Sequence, residues 1–206
     1  MRRIKYDDRF FEKIDTSDKA YFLGFIFADG NIQTKNRQML SIKIHPKDID
    51  ILEKFKRCIR YEGDIYFDKK RNICQICISG EKIVSDLINK GVIVNKTHVL
   101  EYPNIEEKFE TDFIRGFFDG DGCIRIKLDK RSKQKNGNLV IVCGSIKFID
   151  KLNERMSTLF RIKLNKKYGP KHKSYRYISW SGLSDLEKIY ENFYKNSSIF
   201  LQRKKI

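Results

Sequence analysis

Two ten-residue stretches, YFLGFIFADG at Tyr21–Gly30 and FIRGFFDGDG at Phe113–Gly122, decide how this 206-residue chain is read. They align at a constant offset of 92, pairing Gly24 with Gly116, Ala28 with Gly120, Asp29 with Asp121 and Gly30 with Gly122. At about 3.6 residues per turn, Tyr21, Gly24 and Ala28 share one helix face, and so do Phe113, Gly116 and Gly120. Each run is apolar nearly all round, which predicts buried helices. Small residues one turn apart let two backbones approach closely, so Gly24 and Gly116 are the expected interface between the two helices.

The repeat extends outward from these stretches. LSIKIHPKDIDILEKF (Leu40–Phe55) is echoed by LVIVCGSIKFIDKL (Leu139–Leu152), and ISG at Ile78–Gly80 by WSG at Trp180–Gly182. The offset grows where the second copy carries the longer basic loop KLDKRSKQKNGN, Lys127–Asn138. Each copy reads helix, two strands, helix, two strands, helix. Helices are expected at Ser17–Asp29, Lys47–Arg60, Glu81–Lys90, Thr111–Asp121, Ser145–Phe160 and Leu183–Lys195. Ser17, Asp48, Thr111, Ser145 and Ser184 are their expected N-caps. Strands follow from alternation, as in Leu40, Ile42 and Ile44 against Ser41, Lys43 and His45. The fold class is α+β. Residues 1–103 hold the first copy with its motif at Phe22–Gly30; residues 104–206 hold the second, with its motif at Ile114–Gly122. The connector is Val92–Lys108.

Composition narrows the function. Lys and Arg number 43 against 27 Asp and Glu, a net charge of +16, with +5 in residues 1–103 and +11 in residues 104–206. Such an excess calls for a polyanionic partner, nucleic acid before membrane. A 40% hydrophobic content with 15 Phe and 10 Tyr argues for a folded core rather than disorder. The longest apolar run, Ala20–Ala28, is far short of the ~20 residues that cross a bilayer, and MRRIKYDDRF has no apolar leader core. Five scattered cysteines, Cys58, Cys74, Cys77, Cys123 and Cys143, suit a reducing compartment: cytoplasm or an organelle matrix. Cys74 and Cys77 form a CxxC inside an alternating strand, with no second pair spaced for zinc.

Asp29 and Asp121 carry the chemistry. Each closes its apolar run just before a glycine, where a helix C-terminus already bears about half a negative charge. Two such ends side by side would be relieved by a divalent cation, and carboxylate plus carbonyl oxygens suit Mg²⁺. Metal-assisted phosphodiester hydrolysis is the reaction this arrangement can perform. His45, His98 and His172 are isolated and support no histidine-based nuclease, and GDIYFDKK (Gly63–Lys70) reads as a polar-faced strand.

With these residues in hand, LGFIFADG and RGFFDGDG together resemble the paired signature of the LAGLIDADG homing endonucleases, in the form that joins two motifs in one chain. The resemblance covers about residues 15–206. It implies two pseudo-symmetric αββαββα repeats whose antiparallel sheets form a saddle over double-stranded DNA. It implies that Asp29 and Asp121 bind Mg²⁺ (or Mn²⁺), assisted by the carbonyls of Ala28 and Gly120. Phe27 stands where the second copy has Asp119, a position that varies in the family. Lys82 and Lys96 are candidates for the family's basic catalytic shell; Ser184 stands at the Lys82 position in the second copy, and Arg203–Lys204–Lys205 corresponds to Lys96. Outward strand faces supply DNA-reading candidates: Asn31, Gln33, Lys35, Ser41, Lys43 and His45 in copy one, Arg125, Lys127, Lys130, Arg131, Lys133 and Lys135 in copy two. The expectation is a monomeric, site-specific double-strand DNA endonuclease with an asymmetric target. The rivals are a non-cleaving relative serving as an intron-splicing maturase or DNA-binding regulator, and an intein fragment, which lacks a splicing-type Cys or Ser start and His-Asn end.

DNA affinity is therefore expected to fall steeply with salt, each neutralised phosphate adding about −0.9 to the slope of log K against log salt. Replacing Lys133 and Lys135 flattens that slope if their loop follows the backbone. It leaves the slope and relaxes discrimination at a few base pairs if the loop reads bases. Salt-independent binding would show that the basic excess serves something else.

Overall fold

The computed structural model describes residues 4–93, 99–128, 135–165 and 175–205, with backbone alone at 127, 128, 135 and 136. The chain divides into two compact units: residues 1–95, 103–120 and 199–206, and residues 96–102 and 121–198. A sequence copy and a compact unit are different things. The helix that opens the second copy packs with the first unit up to Gly120, as do the last eight residues of the chain.

In the first unit, α1 (Ser17–Asp29) begins where the Thr16 hydroxyl accepts a hydrogen bond from the Lys19 amide at 3.3 Å. The N-cap is Thr16, one residue before the expected Ser17. Every residue from Ala20 to Phe27 is buried, as its apolar composition requires. A four-stranded antiparallel sheet follows in the order β1 (Gly30–Gln33), β2 (Met39–Ile44), β4 (Ile73–Ser79), β3 (Tyr66–Asp68). Its register places Ile32, Leu40 and Ile78 in one row and Gly30, Ile42 and Ile76 in another. The isoleucines and Leu40 of these rows are at most 2% exposed, with α1, α2 (Ile49–Cys58) and α3 (Glu81–Asn89) packed on the strands. Phe22 meets Phe55 at 4.9 Å between ring centroids, and Phe10 meets Phe11 edge-on at 4.9 Å.

The second unit repeats the plan on a three-stranded antiparallel sheet among the described residues, β5 (Gly122–Leu128), β6 (Lys135–Cys143) and β7 (Arg176–Trp180). The remaining strand of the expected order is not seen among the described residues, which omit 166–174. Leu139 pairs with Trp180 and Ile141 with Ile178, all buried. α5 (Ile146–Phe160) and α6 (Leu183–Tyr194) pack on this sheet and on each other, with Phe160 and Phe193 edge-on at 5.4 Å. Ser145 caps α5 as expected, accepting from the Phe148 amide at 3.4 Å.

Besides Ser17, two expected caps are corrected, and Asp48 holds its N-cap position without a cap bond. α4 (Glu107–Asp121) starts four residues before Thr111, with Glu107 and Glu110 in its first turn, where acids oppose the helix dipole favourably. Gly182, not Ser184, occupies the N-cap of α6. Asp48 precedes α2 but makes no side-chain cap bond; its carboxylate accepts instead from Arg203 Nε at 2.9 Å.

The contact that organises the first unit is between α1 and α4. A Cβ on Gly24 would collide with the Phe113 carbonyl and lie 2.9 Å from the Phe117 amide nitrogen. One on Gly116 would collide with the Tyr21 carbonyl and lie 2.9 Å from the Phe25 amide nitrogen. The contact is reciprocal, backbone against backbone, as the repeated glycines predict.

Gly24→Leu or Gly116→Leu is expected to cost about 1–3 kcal/mol or more, because the atoms met are main-chain atoms that no rotamer change can move. Gly182→Ala meets nothing within 4 Å and should cost at most about 1 kcal/mol, from the poorer N-cap alone. Thermal melts of the three variants check this; unchanged melts for the leucine variants would show the helices do not pack this way.

Candidate metal-binding helix ends and nucleic-acid interface

The α1–α4 contact continues toward both C-termini. A Cβ on Gly120 would collide with the methyl group of Ala28 and lie 3.3 Å from Asp29 Oδ2. Glycine at 120 is what admits the Asp29 carboxylate to this end of α4. Asp29 is the last residue of α1 and is half-buried; Asp121 is the last residue of α4 and is exposed. Neither helix carries a basic residue in its last turn, so each end is left acidic by its own sequence. The carbonyls of Ala28 and Gly120 belong to last turns, whose acceptors lack intrahelical partners. This donor set is all oxygen. Among the described residues no group of three or more His, Cys, Asp and Glu could hold a metal by side chains alone. One or two carboxylates completed by carbonyls, water and substrate phosphate is the set Mg²⁺ takes, so the residues fit the expected ion.

Behind the helix ends lies a buried polar cluster that the repeat pattern did not predict. Asp119 is fully buried and accepts hydrogen bonds from the Tyr21 hydroxyl at 2.7 Å and the Leu201 amide at 2.8 Å. Burial pushes its carboxyl above the ordinary range, against those two hydrogen bonds and the charges of Lys204 and Arg115, which pull it down. Lys204, 2% exposed, donates to the carbonyls of Phe118 at 2.6 Å and Asp119 at 2.7 Å. Arg115 donates to Asp112 at 2.7 Å and to the Ile199 carbonyl at 3.1 Å, with its guanidinium over the Tyr21 ring. One signal was available: Arg115 and Asp119 are charges one turn apart inside an apolar helix.

The outward sheet faces carry polar and basic side chains beside exposed Tyr66 and Val142. In the first unit Asn31, Gln33, Lys35, Lys43 and His45 are exposed. Lys43 shares a cross-strand row with Gln75 and with Tyr66, which is 66% exposed. Ser41 departs from expectation: it is 3% exposed, its hydroxyl 3.5 Å from the Asn31 carbonyl. His45 also serves structure, its Nδ1 accepting from the Lys47 amide at 3.1 Å. In the second unit Arg125 is exposed opposite exposed Asn138. Lys127 and Lys135 lie on β5 and β6. Lys130, Arg131 and Lys133 fall outside the described residues, as does Lys96.

Lys82 is engaged in ion pairs within its unit. Its ammonium lies 2.6 Å from Asp86 and 3.6 Å from Glu12. The hydrogen bond to Asp86 leads in holding it above its usual range. Cys74 is buried in the core while Cys77, three residues on, takes a hydrogen bond from Gln75; a three-residue step along a strand puts them on opposite faces, so they form no chelate. All five cysteines are free thiols. Burial pushes the Cys58 thiol up to about 11, with Asp18 adding to the effect. No helix among the described residues is long and apolar enough to cross a membrane.

By sequence the chain matches no protein-family profile and none of the characterised proteins compared with it. Solved structures do match. The LAGLIDADG homing endonuclease I-LtrWI bound to target DNA superposes with a TM-score of 0.64 at 15% identity, over 92% of this chain and 86% of that one. The LAGLIDADG meganuclease I-AabMI bound to uncleaved DNA gives 0.63 at 17% identity, over 90% and 85%. The LAGLIDADG homing endonuclease I-GzeII in complex with its DNA target gives 0.60 at 14%, over 85% and 84%. An α+β chain with two antiparallel sheets and two glycine-packed, aspartate-ended helices thus has the fold of the LAGLIDADG homing endonucleases.

Proposed function

We propose that this chain is a site-specific double-strand DNA endonuclease that hydrolyses phosphodiesters with divalent metal at Asp29 and Asp121. The observation that carries the reading is the reciprocal backbone contact of α1 and α4, each ending in an aspartate without a basic residue in its last turn. The fold shared with DNA-bound endonucleases supports it. So does a net charge of +16 with exposed Lys43, Lys35 and Arg125 on the strands and hairpins. Asp29, Asp121 and the carbonyls of Ala28 and Gly120 would hold Mg²⁺ or Mn²⁺, which when bound activates water and stabilises the leaving oxygen. Asn31, Gln33, Lys35, Lys43, His45, Arg125, Lys127, Lys133 and Lys135 contact DNA in this reading. Because the two faces differ in residues, the target is asymmetric and the working form is a monomer. Five free thiols suit a reducing compartment.

The test is cleavage of a randomised duplex library with Mg²⁺, with Mn²⁺ and with EDTA, followed by Asp29→Asn and Asp121→Asn on the selected target. Each variant is expected to lose at least two orders of magnitude of double-strand cleavage, about 3 kcal/mol of barrier, and EDTA to abolish it. Mobility-shift affinity should stay within about threefold of the parent, since a neutral amide is a poor ligand for a hard cation but leaves the DNA surface intact. Full double-strand cleavage by either variant would sink the assignment. Tight, specific binding without cleavage by the parent would return the chain to the maturase or regulator reading.

A further inference from the structure

The last turn of α4 poses an electrostatic problem that its own sequence does not solve. It carries Asp119 and Asp121 and no basic residue, at the end where the helix dipole already concentrates negative charge. The compensating groups arrive from more than eighty residues downstream. The segment Ile199–Lys205 runs along α4 and is pinned at three points. Arg115 Nε donates to the Ile199 carbonyl at 3.1 Å. The Leu201 amide donates to Asp119 at 2.8 Å. Lys204 Nζ donates to the carbonyls of Phe118 and Asp119 at 2.6 and 2.7 Å. Arg115 and Asp119, one helical turn apart, thus grip one carbonyl and one amide of the same short stretch. Arg203 anchors the strap on its other side through Asp48, and Lys54 Nζ reaches the Phe200 carbonyl at 3.2 Å. Ile199, Leu201 and Lys204 are each at most 6% exposed.

We infer that this C-terminal strap is a positioning device for the α4 end: Arg115 and Asp119 dock it, and Lys204 caps the carbonyls that precede Gly120 and Asp121. The inference rests on the endonuclease reading for its functional consequence, and its structural content stands apart from it. A buried ammonium needs partners to offset desolvation, and here the partners are two carbonyls in the last turn of α4. The capping cation satisfies those acceptors and opposes the dipole next to Asp119. The strap thereby holds the turn that carries Asp121 against fraying. Lys204 acts through α4; it is a positioning residue.

The experiment uses the full chain with Lys204→Met, Lys204→Arg and Arg115→Gln. Hydrogen exchange is followed in peptides covering residues 117–123, with α1 peptides covering 20–28 as internal reference. Cleavage of supercoiled plasmid bearing the selected target is followed in parallel. Lys204→Met and Arg115→Gln should speed exchange across 117–123 at least tenfold while the α1 reference stays within twofold. Lys204→Arg should restore near-parent exchange. On plasmid, the two disrupting variants should accumulate nicked circles and form linear product at least tenfold more slowly, with DNA affinity within threefold. Unchanged exchange at 117–123 overturns the strap's role, and so does faster exchange with an unaltered nicked-to-linear rate. A variant whose α1 amides also speed up has lost the fold, and the remaining variants decide. If the parent cleaves no DNA, the endonuclease reading fails, and the exchange data still decide whether the strap holds the helix end.

Discussion

The α1–α4 contact is possible only because glycine stands at two crossing points. Helices with side chains at the contact sit about 8–10 Å apart. Here a single added carbon at position 24 or 116 strikes the partner's carbonyl, so the two main chains touch. That proximity has a consequence further along the same helices. With the axes held close, Gly120 and Ala28 meet and the Asp29 carboxylate reaches the α4 end. The packing requirement and the approach of the Asp29 carboxylate to α4 therefore depend on the same small residues.

Charge balance is the second condition. α4 is longer and more polar than α1, with Arg115 and Asp119 buried inside it. Those two side chains reach beyond their own helix. They hold the main chain of residues 199–201, and Lys204 completes the arrangement from the same segment. The first helix carries Phe27 at the matching position, its ring edge-on to Phe113 at 5.2 Å. One copy of the repeat therefore settles its helix end with apolar packing and the other with a buried polar network, an asymmetry inside a pseudo-symmetric plan.

Much of the fold was legible because its signals are local. The repeated glycines, the alternating isoleucines of β2 and β4, and the apolar run of α1 each act over a few residues, and the helices came out within about four residues of their expected ends. The caps were less so. Ser145 behaved as expected, but the Asp48 carboxylate accepts from Arg203, 155 residues away, and makes no cap bond. Lys82, a candidate for the basic catalytic shell, is paired with Asp86 and Glu12, partners that its sequence neighbourhood does not single out. Ser41 sits in a polar alternation yet is covered by its neighbours.

The sequence alone determined the elements, the duplication, the glycine-faced helix pair and the aspartates that end it. Period, chain direction and residue size govern all of these, and they are readable in one dimension. Tertiary structure alone decided which polar groups are spent on architecture. The Tyr21–Asp119 bond spans 98 residues and the Lys204 cap on α4 spans 85 or 86. No pattern of neighbours encodes such pairings. They exist because burial removes water from a charged group, and the folded chain must then supply a partner from whatever segment passes closest.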